Sequence, residues 1–212
     1  MKKYLLIFLI LFAGGCIRLG LYESPDLTEK GKVSTTFGST LFYVSSEHFY
    51  AIPAPDIYFN TGVLDNTEVS IRYPVYIHTR YEGKDHYFAV LGGKVRIRPV
   101  PSLIFSFGMD LFQISEEKFN PLRVLYPGIA LTDSGGNYLA GIYYTLFSNT
   151  KLLGDSSLFQ VEFEDFVRFY GARKIKFRRG VDAILGGQLA LPLGGKGSPV
   201  MIFELGFKKV IY

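Results

Sequence analysis

The sequence predicts an all-β chain, an antiparallel up-and-down transmembrane β-barrel of eight to ten strands over residues 33–212. Three observations carry this expectation: apolar and polar residues alternate with period two over segments of about a dozen residues, the connections between those segments are alternately short and long, and the composition suits an ordered wall. Of 212 residues, 48% are hydrophobic, 16% aromatic and 20% charged, with 15 tyrosines, 19 phenylalanines and no tryptophan. Such a chain is too apolar to be disordered. Beyond the first few residues no apolar run approaches the ~20 residues of a spanning helix.

Residues 1–16 come first. Lys2 and Lys3 precede a short apolar run, Tyr4 to Ala13, which reads as an export signal. The run ends in Ala13-Gly14-Gly15-Cys16, with the only cysteine of the chain. This end resembles the lipobox of bacterial lipoprotein signal peptides, which implies acylation of Cys16 and removal of residues 1–15. That family usually has leucine where this chain has Ala13, and ordinary secretion with an incidental cysteine is the alternative. Residues 16–32 then form a lipidated N-terminal linker, with the N-terminus periplasmic. No thiol is left to form a disulfide. Removing Lys2 and Lys3 lowers the formal net charge from +4 to +2. That balance, in an exported chain, argues against a nucleic-acid partner.

Ten strands are expected, at 33–43, 56–62, 67–81, 86–98, 102–114, 123–132, 137–148, 159–169, 174–191 and 200–211. In the third, Val69, Ile71, Tyr73, Val75, Ile77, Thr79 and Tyr81 alternate with Ser70, Arg72, Pro74, Tyr76, His78 and Arg80. The fourth sets Tyr87, Ala89, Leu91, Val95 and Ile97 against a face ending in Lys94, Arg96 and Arg98. The fifth sets Leu103, Phe105, Phe107, Met109 and Leu111 against Ser106, Gly108 and Asp110. In the ninth, Ile175, Phe177, Val181, Ala183, Leu185, Leu189 and Leu191 oppose Lys174, Lys176, Arg178, Asp182 and Gln188, with Arg179 breaking the stripe. Segments 56–62 and 123–132 carry weaker patterns. The second of them contains Pro127, which lacks a ladder donor.

Strand length separates a membrane barrel from a soluble sandwich. A strand of about twelve residues tilted by ~40° rises roughly 30 Å, the height of a hydrocarbon core, whereas soluble strands are mostly of about five or six residues. Short turns are expected at Val63–Asn66, Pro99–Pro101, Asp133–Gly136 and Tyr170–Arg173, and mostly longer connections at the other end. That asymmetry is the outer-membrane arrangement, with the short turns periplasmic.

The segment Pro55 to Phe59 followed by Gly62 to Tyr73 resembles the hairpin of small outer-membrane barrel proteins, in which a short polar turn joins two alternating strands. The chain also ends on an aromatic residue, Tyr212, as that family commonly does, although Lys208 and Lys209 interrupt the usual apolar ending. The resemblance implies outer-membrane lipids and the barrel assembly machinery as partners.

On this alternation the lumen collects Arg72, His78, Arg80, Lys94, Arg96, Arg98, Lys174, Lys176 and Arg178, with Asp110, Glu162, Glu164, Asp182 and Glu204. A narrow barrel buries such charges as salt bridges. The functional alternative is a narrow polar conduit or an anion-binding mouth.

Catalytic signals are thin. Ser45-Ser46-Glu47-His48 brings hydroxyl, carboxylate and imidazole into one loop without the rigid frame that a triad requires. His78 and His86, with Glu82 and Asp85 between them, match no metal-ligand spacing. The glycine pairs at 92–93 and 186–187 read as bends in a curved sheet. The expectation is a non-enzymatic outer-membrane barrel lipoprotein without cofactor, serving structure, surface interaction or small-solute passage. The alternatives are a periplasmic lipoprotein whose soluble barrel or sandwich holds an apolar ligand, and a lipid hydrolase using His48 with Ser45 or Ser46.

Overall fold

The computed structural model describes residues 21–44, 54–81, 84–115, 122–148, 151–153, 160–162, 165–177, 180–194 and 199–211. The strands are β1 (Val33–Val44), β2 (Ala54–Leu64), β3 (Thr67–Tyr81), β4 (Lys84–Val100), β5 (Leu103–Ser115), β6 (Leu122–Thr132), β7 (Tyr138–Phe147), β8 (Lys151–Leu153), β9 (Gln160–Glu162), β10 (Phe166–Lys176), β11 (Val181–Pro192) and β12 (Val200–Val210). All except β8 and β9 form one closed, antiparallel, ten-stranded barrel, in which β12 returns to pair with β1 from Ser34↔Val210 to Val44↔Val200. Closure leaves no edge strand, so every wall strand has a partner on both sides.

The alternation that predicts the strands also decides which side faces out. Phe107 is 52% exposed while its neighbour Ser106 is 7% exposed. Along β12, Met201, Phe203, Leu205 and Phe207 are exposed, whereas Ile202, Glu204 and Lys208 are buried. Ile71, Leu91, Phe105, Ile129, Phe169 and Leu185 extend this apolar outer face around the barrel. A soluble barrel would turn this set inward. The interior is mostly polar, with a small apolar cluster that joins Leu21 to Ile104, Ala130, Leu139, Tyr143, Tyr170, Ala172 and Ile184.

β6 forms through Pro127, which pairs with Phe107 of β5, and Val124, Tyr126 and Ala130 of that strand point inward and are buried. Short turns join β2 to β3, β4 to β5, β6 to β7 and β10 to β11 at one end, where β1 starts and β12 stops.

The strand pairing corrects the sequence reading in three places. Tyr170–Arg173 is not a turn: it lies within β10, with Tyr170 opposite Gly141 and Gln188. Inward alternation runs unbroken through Arg168, Tyr170, Ala172 and Lys174, and the chain reverses instead after Phe177. There Gly180 takes φ +70° and the Phe177 amide donates to Val181 O at 2.8 Å. Residues 160–162 belong not to a wall strand but to the separate β8–β9 hairpin, so Glu162 lies outside the barrel ladder. Finally, a bulge in β3 between Arg72 and Val75 sets two residues, Tyr73 and Pro74, opposite Leu91 alone. Because one inserted residue reverses the faces, the parity of Arg72 does not continue to His78 and Arg80. Those two pair in register with Tyr87 and Asp85, and their side chains lie outside the described residues.

Candidate functional site: a charged lumen filled by the N-terminal segment

Residues 21–28, assigned by the sequence reading to a linker, run inside the barrel. Lys30 bridges Gly62 of β2 at the short-turn end, and from there toward Leu21 the chain penetrates to the level of Glu204, midway along β12. Leu21, Tyr22, Glu23, Ser24 and Thr28 are all buried. This stretch lacks regular secondary structure, so its backbone groups need partners from the wall. Glu204 accepts from the amides of Leu21 (2.6 Å) and Tyr22 (2.8 Å), and the Tyr22 hydroxyl lies 2.5 Å from Thr40 Oγ1. The Glu23 amide donates to the Tyr170 hydroxyl oxygen at 3.1 Å. Both the amide and the hydroxyl of Thr28 donate to Glu68, at 2.7 and 2.6 Å.

Wall cations take the acceptors. Lys94 Nζ donates to Leu21 O at 2.7 Å, Arg96 to Ser24 O, Arg98 to Pro25 O, and Lys208 to Asp26 O at 3.2 Å. Glu23 pairs with Arg96 Nε at 2.5 Å and with Lys94 at 3.2 Å, and Asp26 pairs with Lys174. Glu68 links Arg96 (3.1 Å) to Lys208 (3.0 Å). Buried ions survive only when paired and hydrogen-bonded, and the segment supplies both kinds of partner.

A second network crosses the lumen beside Leu21. Arg72 pairs with Asp56 at 2.9 Å and with Asp110, donates to the Tyr58 hydroxyl, and lies 4.9 Å from the Tyr58 ring centroid. Tyr126 donates to Asp110 at 2.8 Å. Arg168 donates to Thr145 at 2.5 Å and to Gln188 at 3.2 Å, and Gln188 donates to Glu204. The space left among Leu21, Glu23, Tyr58, Arg72, Lys94 and Asp110 is about 20 Å³, enough for one water molecule and for no solute.

Of the residues placed in the lumen from sequence, Arg72, Lys94, Arg96, Asp110, Lys174 and Glu204 come together there, with Arg98 half-buried against Pro25. Asp182 is half-buried and Lys176 exposed, paired in register at the short-turn rim. Cys16, Glu164, Arg178 and the Ser45–His48 group lie outside the described residues, as does the side chain of Arg80. Sequence reasoning missed Asp56, Glu68, Arg168 and Lys208. Glu68, Arg168 and Lys208 all share the parity of residues it did name. Among the described residues, no group of three His, Cys, Asp or Glu side chains is placed to hold a metal ion.

No family model matches the chain, and no curated protein does. Among solved structures it is similar to Ail, the attachment invasion locus protein of Yersinia pestis, at 8% identity and TM-score 0.31, covering 85% of this chain and 97% of that one. It is also similar to the translocator domain of the autotransporter NalP from Neisseria meningitidis, at 8% identity and TM-score 0.44, covering 98% and 95%. What makes this chain a barrel is its own strand pairing from β1 round to β12.

Proposed function

We propose that this chain is a non-enzymatic outer-membrane β-barrel lipoprotein, anchored through Cys16 and kept closed by its own residues 21–28, with a structural or surface-interaction role. Its partners are the lipids around the wall and the machinery that assembles barrels. The observation that carries this reading is the inversion of sidedness. Phe105, Phe107, Leu205 and Phe207 face out, while Arg72, Arg96, Arg168 and Glu68 are buried inside. Water on the outer face would leave that apolar belt without a favourable solvent, whereas a hydrocarbon slab suits it. The short-turn end, where the N-terminal segment enters, then faces the periplasm.

Gel mobility in SDS, unheated and boiled, tests the reading. A membrane barrel stays compact until heated and then shifts, whereas equal mobility before and after boiling would overturn it. Anchoring is read separately: the mature N-terminal fragment carries the mass of a diacylglyceryl and an acyl group on Cys16, and Cys16→Ser loses that mass.

A further inference from the structure

The segment that fills the lumen is held unlike the wall around it. Wall strands are joined by continuous ladders, whereas residues 21–28 meet the barrel through side chains, and the one backbone bridge in the described N-terminal stretch is Lys30 to Gly62 at the rim. Withdrawing residues 21–28 therefore breaks no barrel ladder.

Charge is divided unequally between wall and segment. Lys94, Arg96, Arg98, Lys174 and Lys208 line the short-turn half of the lumen, where Glu68 and the rim residue Asp182 are the wall carboxylates among the described residues. The segment adds Glu23 and Asp26. Without the segment the two wall carboxylates would face five cations, and even with it in place Lys94, Arg96, Arg98 and Lys208 each use a neutral carbonyl of the segment as an acceptor. An anionic oxygen binds such donors more strongly than a carbonyl does.

We propose that residues 21–28 are a displaceable plug seated on an anion-binding lumen, and that their withdrawal opens a conduit selective for small anions such as carboxylates. This rests on the membrane-barrel reading above. The opening left is the cross-section of an extended peptide, roughly 5 Å in its narrow direction. Its walls carry Lys174 and Lys208 nearest the rim, then Arg96 and Lys94 further in, followed by Arg72, which Asp56 and Asp110 keep paired.

The test is conductance of the purified protein in planar bilayers under potassium chloride and potassium acetate gradients. It compares the wild-type chain, a deletion of residues 21–28, and the isosteric double variant Glu23→Gln with Asp26→Asn. Each is first checked for a heat-shifted band, so loss of the barrel is distinguished from loss of the conduit. The wild-type chain stays mostly closed. Both variants show discrete steps whose reversal potential moves toward that of the anion, and a synthetic peptide with the sequence Leu21–Thr28 blocks the deletion variant. The same peptide with glutamine and asparagine in place of its two acids blocks less. Heat-shifted variants that insert without conducting, or that conduct with cation selectivity, overturn the proposal. Should the deletion variant lack the heat-shifted band, the isosteric variant decides alone.

Discussion

A β-carbon placed on Gly38 would fall 2.2 Å from Cε1 of Tyr22, so the ring of the N-terminal segment occupies the space that a side chain on β1 would fill. Gly206, the register partner of Gly38 on β12, leaves a second position without a side chain beside the same ring, 3.3 Å from Tyr22 Cδ1 to a Cβ built there. The wall is thus shaped for this segment. Opposite the ring, Glu204 holds the Leu21 and Tyr22 amides.

Gly38→Ala is therefore expected to expel the Tyr22 ring while leaving the ladder intact, at a cost of about 1–3 kcal/mol to segment docking. Hydrogen exchange reads this directly. The Leu21 and Tyr22 amides, buried against Glu204 in the native chain, exchange faster in the variant, while amides in the β1–β12 ladder do not change. Equal protection of Leu21 and Tyr22 in both proteins would show that the ring does not seat the segment.

Arg96 joins Glu23 of the segment to Glu68 of the wall. Arg96→Met removes a guanidinium that two buried carboxylates share, and loss of one partner from such a pair costs about 3–5 kcal/mol. Adding Glu23→Gln removes one of the stranded charges, so the double variant is expected to recover part of the loss, with a coupling of roughly 0.5–3 kcal/mol. The midpoint of the heat-induced gel shift measures both. Strict additivity would mean that the ion pair contributes nothing specific.

Legibility from sequence followed the length of unbroken alternation. β5 is readable because Leu103, Phe105, Phe107 and Met109 oppose Ser106 and Asp110 with no interruption. Tyr170–Arg173 misled because its glycine suggests a turn, yet Gly171 sits in an open part of the sheet while Gly180, at φ +70°, marks the true reversal. Pro74 was the available sign of the β3 bulge, since a proline inside a paired strand removes a ladder donor. The segment Leu21–Thr28 has no period at all. Its only signal was compositional, Glu23 and Asp26 lying upstream of a wall rich in lysine and arginine, and only the three-dimensional lumen shows that they meet. Lys208, read as an interruption of an apolar ending, is a lumen residue that keeps the inward parity of β12.

Asp133 offers a pH-dependent readout outside the membrane-spanning strands. Its carboxylate accepts from the amides of Tyr138 (2.7 Å), Asn137 (2.7 Å) and Gly135 (3.2 Å), and these bonds, that from Tyr138 foremost, hold its pKa below the usual aspartate value. A carboxyl whose pKa is depressed on folding stabilises the turn above its unfolded pKa, and loses that contribution as pH falls through the folded value. The amides of Gly135, Asn137 and Tyr138 are expected to keep their hydrogen-bonded chemical shifts down through the ordinary aspartate range and to lose them only at lower pH. In Asp133→Asn the acid transition should vanish. A transition that survives in that variant would assign it to another group.

Leu205 lies on the outer face midway along β12, next to the buried Glu204, and it is 43% exposed. If the surroundings are hydrocarbon, Leu205→Arg places a guanidinium near the midplane, at a cost of about 2–4 kcal/mol, whereas the same change at Leu131, beside the short-turn end of β6, costs roughly 0–1 kcal/mol. In water both substitutions would be nearly neutral, because each replaces an exposed apolar side chain with a soluble one. Folding titrations into lipid vesicles compare the two directly. A large loss at 205 with a small one at 131 supports a membrane around the wall. Equal, small effects would place the outer face in water and return the apolar belt to a role in binding another surface.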